Sequence, residues 1–103
     1  MPKVTVRVPH SLEPAAAFAR LKPALEKTVT DFQGHDLVQE AGDTTTSFTF
    51  KSMAFTIKGR AEATPGHLTV EVDLPFAAMM FKDKAERAIT KNVTRALAAA
   101  PPA

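Results

Sequence analysis

Few residues in this 103-residue chain have the types and spacing that do chemistry. His10 and Ser11 stand together in the stretch Pro9-His10-Ser11-Leu12. A serine nucleophile needs a base within hydrogen-bond reach and a third group to orient that base. Adjacent residues at a strand–helix junction usually point apart, and no nucleophile-elbow pattern surrounds this pair. The structural alternative is a helix start. Ser11 is expected to accept the amide of Glu13 as an N-cap, with the Glu13 charge suited to a helix N-terminus. Pro9, His10, Ser11 and Leu12 are then a joint, and neither capping nor packing calls for a histidine at position 10. His35-Asp36, with Asp31 nearby, has the composition of an acid–base pair but reads as solvated loop. His10, His35 and His67 are far apart, without the i, i+4 spacing of a zinc-binding helix. Four glycines form no phosphate-cradling loop. No catalytic constellation, metal site or cofactor is expected, and the chain reads as non-enzymatic.

The totals exclude other classes. Cysteine is absent, which removes disulfides and thiolate chemistry and fits a reducing cytoplasm. A net charge of +2 is too small to announce a nucleic-acid binder. No run is long and apolar enough for a spanning helix, and the alternating N-terminus has no apolar core of a secretory signal. All aromatic packing rests on seven phenylalanines.

The elements that must position these residues follow from periodicity. Val4, Val6 and Val8 alternate with Lys3, Thr5 and Arg7, which predicts a half-buried strand over 3–8. Phe18, Leu21, Leu25, Val29 and Phe32 recur every three or four residues, which predicts one helix over 12–32, bent at Pro23 and ended by a left-handed Gly34. Strands are expected over 35–40, 44–50, 53–63 and 68–74, with a turn at 64–67. In the last hairpin, pairing Thr64 with His67 sets Arg60 opposite Glu71 and Lys58 opposite Asp73. The same register pairs Ala61 with Val70 and Gly59 with Val72, so charge and hydrophobicity agree. A final helix is expected over 76–99, with Phe81, Ala85, Ile89, Val93 and Ala96 inward and its lysines and arginines mostly outward. Residues 98–103 read as a frayed tail.

The expected fold is therefore a single α+β domain over 1–97, ordered β-α-β-β-β-β-α. A largely antiparallel sheet carries two helices on its apolar face and leaves the other face wet. Alternation places Phe48 and Phe50 on the buried side, which opposes a base-stacking platform.

The run Leu74–Phe81 contains no charge. Its structural reading is a strand end and a buried first helical turn, with methionines as filler. Its functional reading is an apolar contact patch made of Phe76, Met79, Met80 and Phe81 beside Lys82.

Two stretches resemble a known family. VRVPHSLEPAAA is similar to the opening of the small bacterial proteins of the putative polyhydroxyalkanoic acid system family. FTFKSMAFTIKGRAEATPGHLTVEVDLPFAAMMFKDKAERAI is similar to that family's Gly-containing strand, its alternating strand ending near Leu-Pro, and its Phe-Lys helix entry. The resemblance implies an association with the storage polyester polyhydroxyalkanoate and its granules. It implies no catalytic residues, and only His10, Ser11 and Leu12 match a recognisable motif.

Three functions are thus expected, in order. The first is a non-enzymatic accessory protein, cytoplasmic or granule-associated, that binds a polyhydroxyalkanoate granule surface or a granule-associated protein. The second is a lipid or small-ligand binder, or an enzyme, with a pocket between helices and sheet near Met53, Phe55, Met79 and Met80. The third is a nucleic-acid module using Arg7, Lys51, Lys58 and Arg60, two of them expected to be neutralised across the hairpin. Open sheet edges also allow a homodimer.

Overall fold

The alternation in the first strand is realised residue by residue. β1 spans Lys3–Pro9, with Val4, Val6 and Val8 buried and Lys3, Thr5 and Arg7 exposed. The structure, a computed structural model, describes residues 3–52 and 55–98. α1 follows over Pro14–Asp31, then β2 over Gly34–Ala41, β3 over Thr45–Ser52, β4 over Phe55–Thr64 and β5 over His67–Asp73. A 3-10 helix, Phe76–Phe81, leads into α2, Lys82–Ala98. The expected order of strands and helices is thus observed. Met53 and the tail from residue 99 lie outside the described residues.

The five strands form one antiparallel sheet in the spatial order β1-β5-β4-β3-β2. β2 to β5 are a meander of consecutive hairpins. β1 joins its far side, so α1 must carry the chain from one sheet edge to the other. The β4–β5 register is the expected one, with Lys58 opposite Asp73, Gly59 opposite Val72, Arg60 opposite Glu71 and Ala61 opposite Val70. The expected ion pairs differ. Glu71 and Asp73 lie within 3.8 Å of the Lys3 ammonium instead. The cause is topological: β5 lies between β1 and β4, and Lys3 reaches its carboxylates from the β1 side. Such exposed pairs contribute at most about 1 kcal/mol each.

Both helices cover the apolar face. Leu21, Leu25 and Val29 from α1 and Ala85, Ile89 and Val93 from α2 pack with Phe48, Phe50, Ile57, Leu68, Val70 and Val72. Burying each of the larger side chains contributes roughly 1.5–3 kcal/mol. Phe48 and Phe50 are indeed core residues, stacked at 6.4 Å. Phe48 lies across Gly59 of β4, its cross-strand partner. A Cβ at Gly59 would fall 2.5 Å from the Phe48 ring and 2.6 Å from the Glu71 carbonyl oxygen, so only glycine fits.

Three local expectations are corrected. The first helix begins at Pro14, not near Leu12. Proline forces its predecessor out of the helical region, and Glu13 is extended at φ −64°, ψ 149°. Proline itself is preorganised for the first helical position. Glu13 is therefore the cap residue, without a side-chain capping bond, and Ser11 lies too far upstream to cap. The left-handed residue after α1 is Gln33, at φ 55°, rather than Gly34. Gly34 is needed for space, because a Cβ there would come 2.8 Å from Val29 and 2.9 Å from Phe50. The stretch expected to open the last helix is instead a separate 3-10 turn, entered from an extended Pro75. α1 itself passes through Pro23 as one element, with Pro23 and Ala19 on its exposed side.

Candidate functional site

The joint and the apolar run occupy different parts of the fold. At the joint, His10 has a specific duty that sequence reasoning missed. The Leu12 amide donates to Nδ1 of His10 at 3.0 Å, and Nε2 lies 2.9 Å from the Thr64 carbonyl oxygen. An amide can only donate and a carbonyl can only accept. These two bonds select the tautomer in which Nδ1 accepts and Nε2 donates. The His10 amide also donates to the Gly66 carbonyl. One imidazole thus ties the entry of α1 to the β4–β5 turn, a role that needs an acceptor and a donor on opposite sides of one rigid group. The exposed Ser11 is not part of it, which removes the idea of a His-Ser pair. His35 and Asp36 form an exposed 3.1 Å contact. Among the described residues no group of three or more His, Cys, Asp or Glu could hold a metal.

The apolar run forms a 3-10 turn that keeps one side on the core and leaves the rest in solvent. Three residues per turn bring Ala78 and Phe81 to the same side. Ala78 is buried and Phe81 half-buried, whereas Phe76 is 71% exposed, Met79 48% and Met80 80%. The expectation of a buried first helical turn is corrected accordingly. Phe76 and Met79, three residues apart, share a second side of the turn and Met80 lies on the third, so the two sides that do not face the core form a solvent-exposed apolar ledge. Lys82, the first residue of α2, is exposed beside them.

Behind this ledge lies a cavity of about 160 Å³. Its inner wall is apolar: Leu25 and Val29 from α1, Phe50, Phe55, Ile57 and Val72 from the sheet, Ala85 and Ile89 from α2, and Ala78 and Phe81 from the 3-10 helix. Asp31, Gln33, Ser52 and Lys84 supply polar groups. Phe55 therefore lines a pocket as expected. Met79 and Met80 do not; the 3-10 helix points them away from it. Met53 lies outside the described residues.

The polar groups around the cavity are unequally engaged. Ser52 donates its hydroxyl to the Phe32 carbonyl at 2.7 Å. Asp31 accepts from Lys27 at 3.0 Å and from the Asn92 amide at 3.1 Å. The Asn92 bond, followed by Lys27, holds the Asp31 carboxyl below its ordinary value. Asn92 is 4% exposed and also donates to Thr28 at 2.9 Å, so it bridges the two helices. Its carbonyl oxygen is buried without a partner among the described residues. Neither Thr28 nor Asn92 stood out in the sequence, since both read as polar interruptions of amphipathic helices. Lys84 is exposed, and its ammonium lies 5.6 Å from the centre of the Phe32 ring.

The wet face of the sheet carries Arg7, Lys51, Lys58 and Arg60, all exposed. They alternate with threonine and serine, and among the described residues this face carries no aromatic side chain on which a base could stack.

Comparisons with known proteins agree with this architecture. Residues 4–97 match the model of the family described as "Putative polyhydroxyalkanoic acid system protein". Among curated proteins none matches the sequence significantly. Of solved structures, protein MLL2253 from Mesorhizobium loti superposes with a TM-score of 0.65 at 13% identity, covering 93% of this chain and 96% of that one. The di-domain ARO/CYC BexL from the BE-7585A biosynthetic pathway superposes with a TM-score of 0.56 at 9% identity, covering 97% of this chain and 51% of that one. At these identities the likeness is one of fold alone. No helix among the described residues is long and apolar enough to cross a membrane.

Proposed function

Because the chain belongs to the polyhydroxyalkanoic acid system family, we propose that it is a non-enzymatic, cytoplasmic accessory protein that attaches to the polyhydroxyalkanoate granule surface through its apolar ledge. The observation that carries this reading is the exposure of Phe76, Met79 and Met80 together on one short turn. Isolated exposed apolar residues are ordinary, but three large ones on six consecutive residues favour an apolar counter-surface. The neighbouring outer face of α2, with Lys82, Lys84, Arg87 and Lys91 exposed, adds attraction to a surface carrying negative charge.

The experiment is co-sedimentation with isolated granules. The wild-type protein is expected in the pellet, and Phe76→Ser/Met80→Ser protein in the supernatant. Both substituted side chains are exposed, so the fold is expected to survive. Equal recovery of both proteins in the unbound fraction would overturn the assignment.

A further inference from the structure

The cavity between the helices and the sheet is a second site, separate from the ledge. We propose that it binds the hydrocarbon chain of a medium-chain carboxylate, whose carboxylate group is received by Lys84. Three observations converge on this class of ligand. The first is volume. The cavity measures about 160 Å³, and an apolar cavity of nearly that size accommodates benzene, which sets its capacity at about six carbon atoms.

The second is the wall. Phe50, Ile57, Phe81 and Ile89 present carbon from the sheet, the 3-10 helix and α2. Such a wall gives water no hydrogen bonds and favours an apolar chain.

The third is the polar lining. Asp31 already receives bonds from Lys27 and Asn92, so its charge is answered within the protein. The Ser52 hydroxyl is engaged with a backbone carbonyl. Lys84 touches the face of Phe32 and makes no ion pair among the described residues. It is also exposed while the hydrocarbon wall is largely buried, so it stands where the cavity meets solvent. A chain seated inside would leave its polar end beside an ammonium whose charge lacks a carboxylate. That arrangement selects an anionic head over a neutral or cationic one.

The test is calorimetric titration of the full-length protein with octanoate, against butanoate, 1-octanol and octylammonium. Octanoate is expected to bind saturably at one site. Affinity should rise roughly fourfold per methylene from butanoate until the cavity is full. Octylammonium should bind more weakly than 1-octanol. Lys84→Gln, an exposed change that leaves the core intact, should weaken octanoate by about three- to tenfold and leave 1-octanol unchanged. Ala85→Met, which grows a flexible side chain into the cavity, should abolish binding of both. Amide shifts on adding octanoate should concentrate around Ile57, Phe81 and Ile89, and that measurement needs no variant.

Absence of saturable octanoate binding, equal affinity in Lys84→Gln protein, or shifts confined to the outer sheet face would overturn the proposal. Phe76→Ser/Met80→Ser protein, which leaves the cavity wall untouched, is expected to bind octanoate normally even though it fails on granules. The two sites therefore fail separately.

Discussion

The contact between Asn92, Thr28 and Asp31 allows a prediction whose parts can be separated. Asn92→Ala removes two hydrogen bonds between the helices, one to the Thr28 hydroxyl and one to the Asp31 carboxylate. A neutral bond contributes about 1 kcal/mol net. The bond to a charged acceptor is ordinarily stronger, but the Asp31 side chain is 28% exposed, so about 1 kcal/mol is assigned to it as well. Truncation also removes the buried, unpartnered carbonyl oxygen of Asn92, which returns part of this loss, while the small void left behind adds to it. The net expectation is a destabilisation of about 1–2 kcal/mol at neutral pH, or a Tm lowered by roughly 5–10 °C.

The charged half of the effect can be read separately. Asp31 has its carboxyl held below the ordinary value of 3.8, with the Asn92 bond as the largest cause. A lowered carboxyl stabilises the folded protein fully above the unfolded value, and the contribution disappears as pH falls through the folded value. In Asn92→Ala protein the Asp31 titration, followed by carboxyl NMR, should move upward. Urea denaturation should then show Asn92→Ala costing less in an Asp31→Asn background, where the charge is absent. If Asp31 titrates at the same pH with and without Asn92, and the two substitutions are additive, the bond contributes nothing and the account of this helix interface is wrong.

Two further predictions concern the joint and the glycine beneath Phe48. His10→Ala should cost about 1–2 kcal/mol by releasing both the Leu12 amide and the Thr64 carbonyl. His10→Asn should recover roughly half, because a short side-chain oxygen can accept an amide two residues on but cannot also reach Thr64. Amide exchange at Leu12 should be fast in the alanine variant and protected in the asparagine variant; equal rates would refute the assigned bond. Gly59→Ala should cost about 2–3 kcal/mol in urea denaturation. Adding Phe48→Leu should relieve the ring contact but not the approach to the Glu71 carbonyl, so full rescue would contradict the observed packing.

Much of the fold was legible in the order of residues. The alternation of Val4, Val6 and Val8, the buried faces of β3 to β5 and the β4–β5 register all follow from a period of two, because a slip of one residue would turn every apolar side chain to water. The inward residues of α2 follow in the same way from helical period. The family was legible too, in the Val-Arg-Val-Pro-His-Ser-Leu opening and the strand–turn–strand run that precedes α2.

Periodicity ranks faces, however, and does not locate partners that are distant in sequence. His10 pairs with Thr64, 54 positions away, and Asn92 with Thr28, 64 positions away. Their polar side chains look like interruptions until tertiary structure supplies the other half. Lys3 answers Glu71 and Asp73 only because β1 lies beside β5. The separate 3-10 turn at Phe76–Phe81 is likewise specified by no apolar count. The cavity is the extreme case, since a void is the difference between the space enclosed by two helices and a sheet and the summed volume of side chains drawn from all of them. Sequence thus determined the family, the element order and which faces are buried. The separation of the layers, and with it the ledge, the cavity and the lysine beside it, was decided by tertiary packing alone.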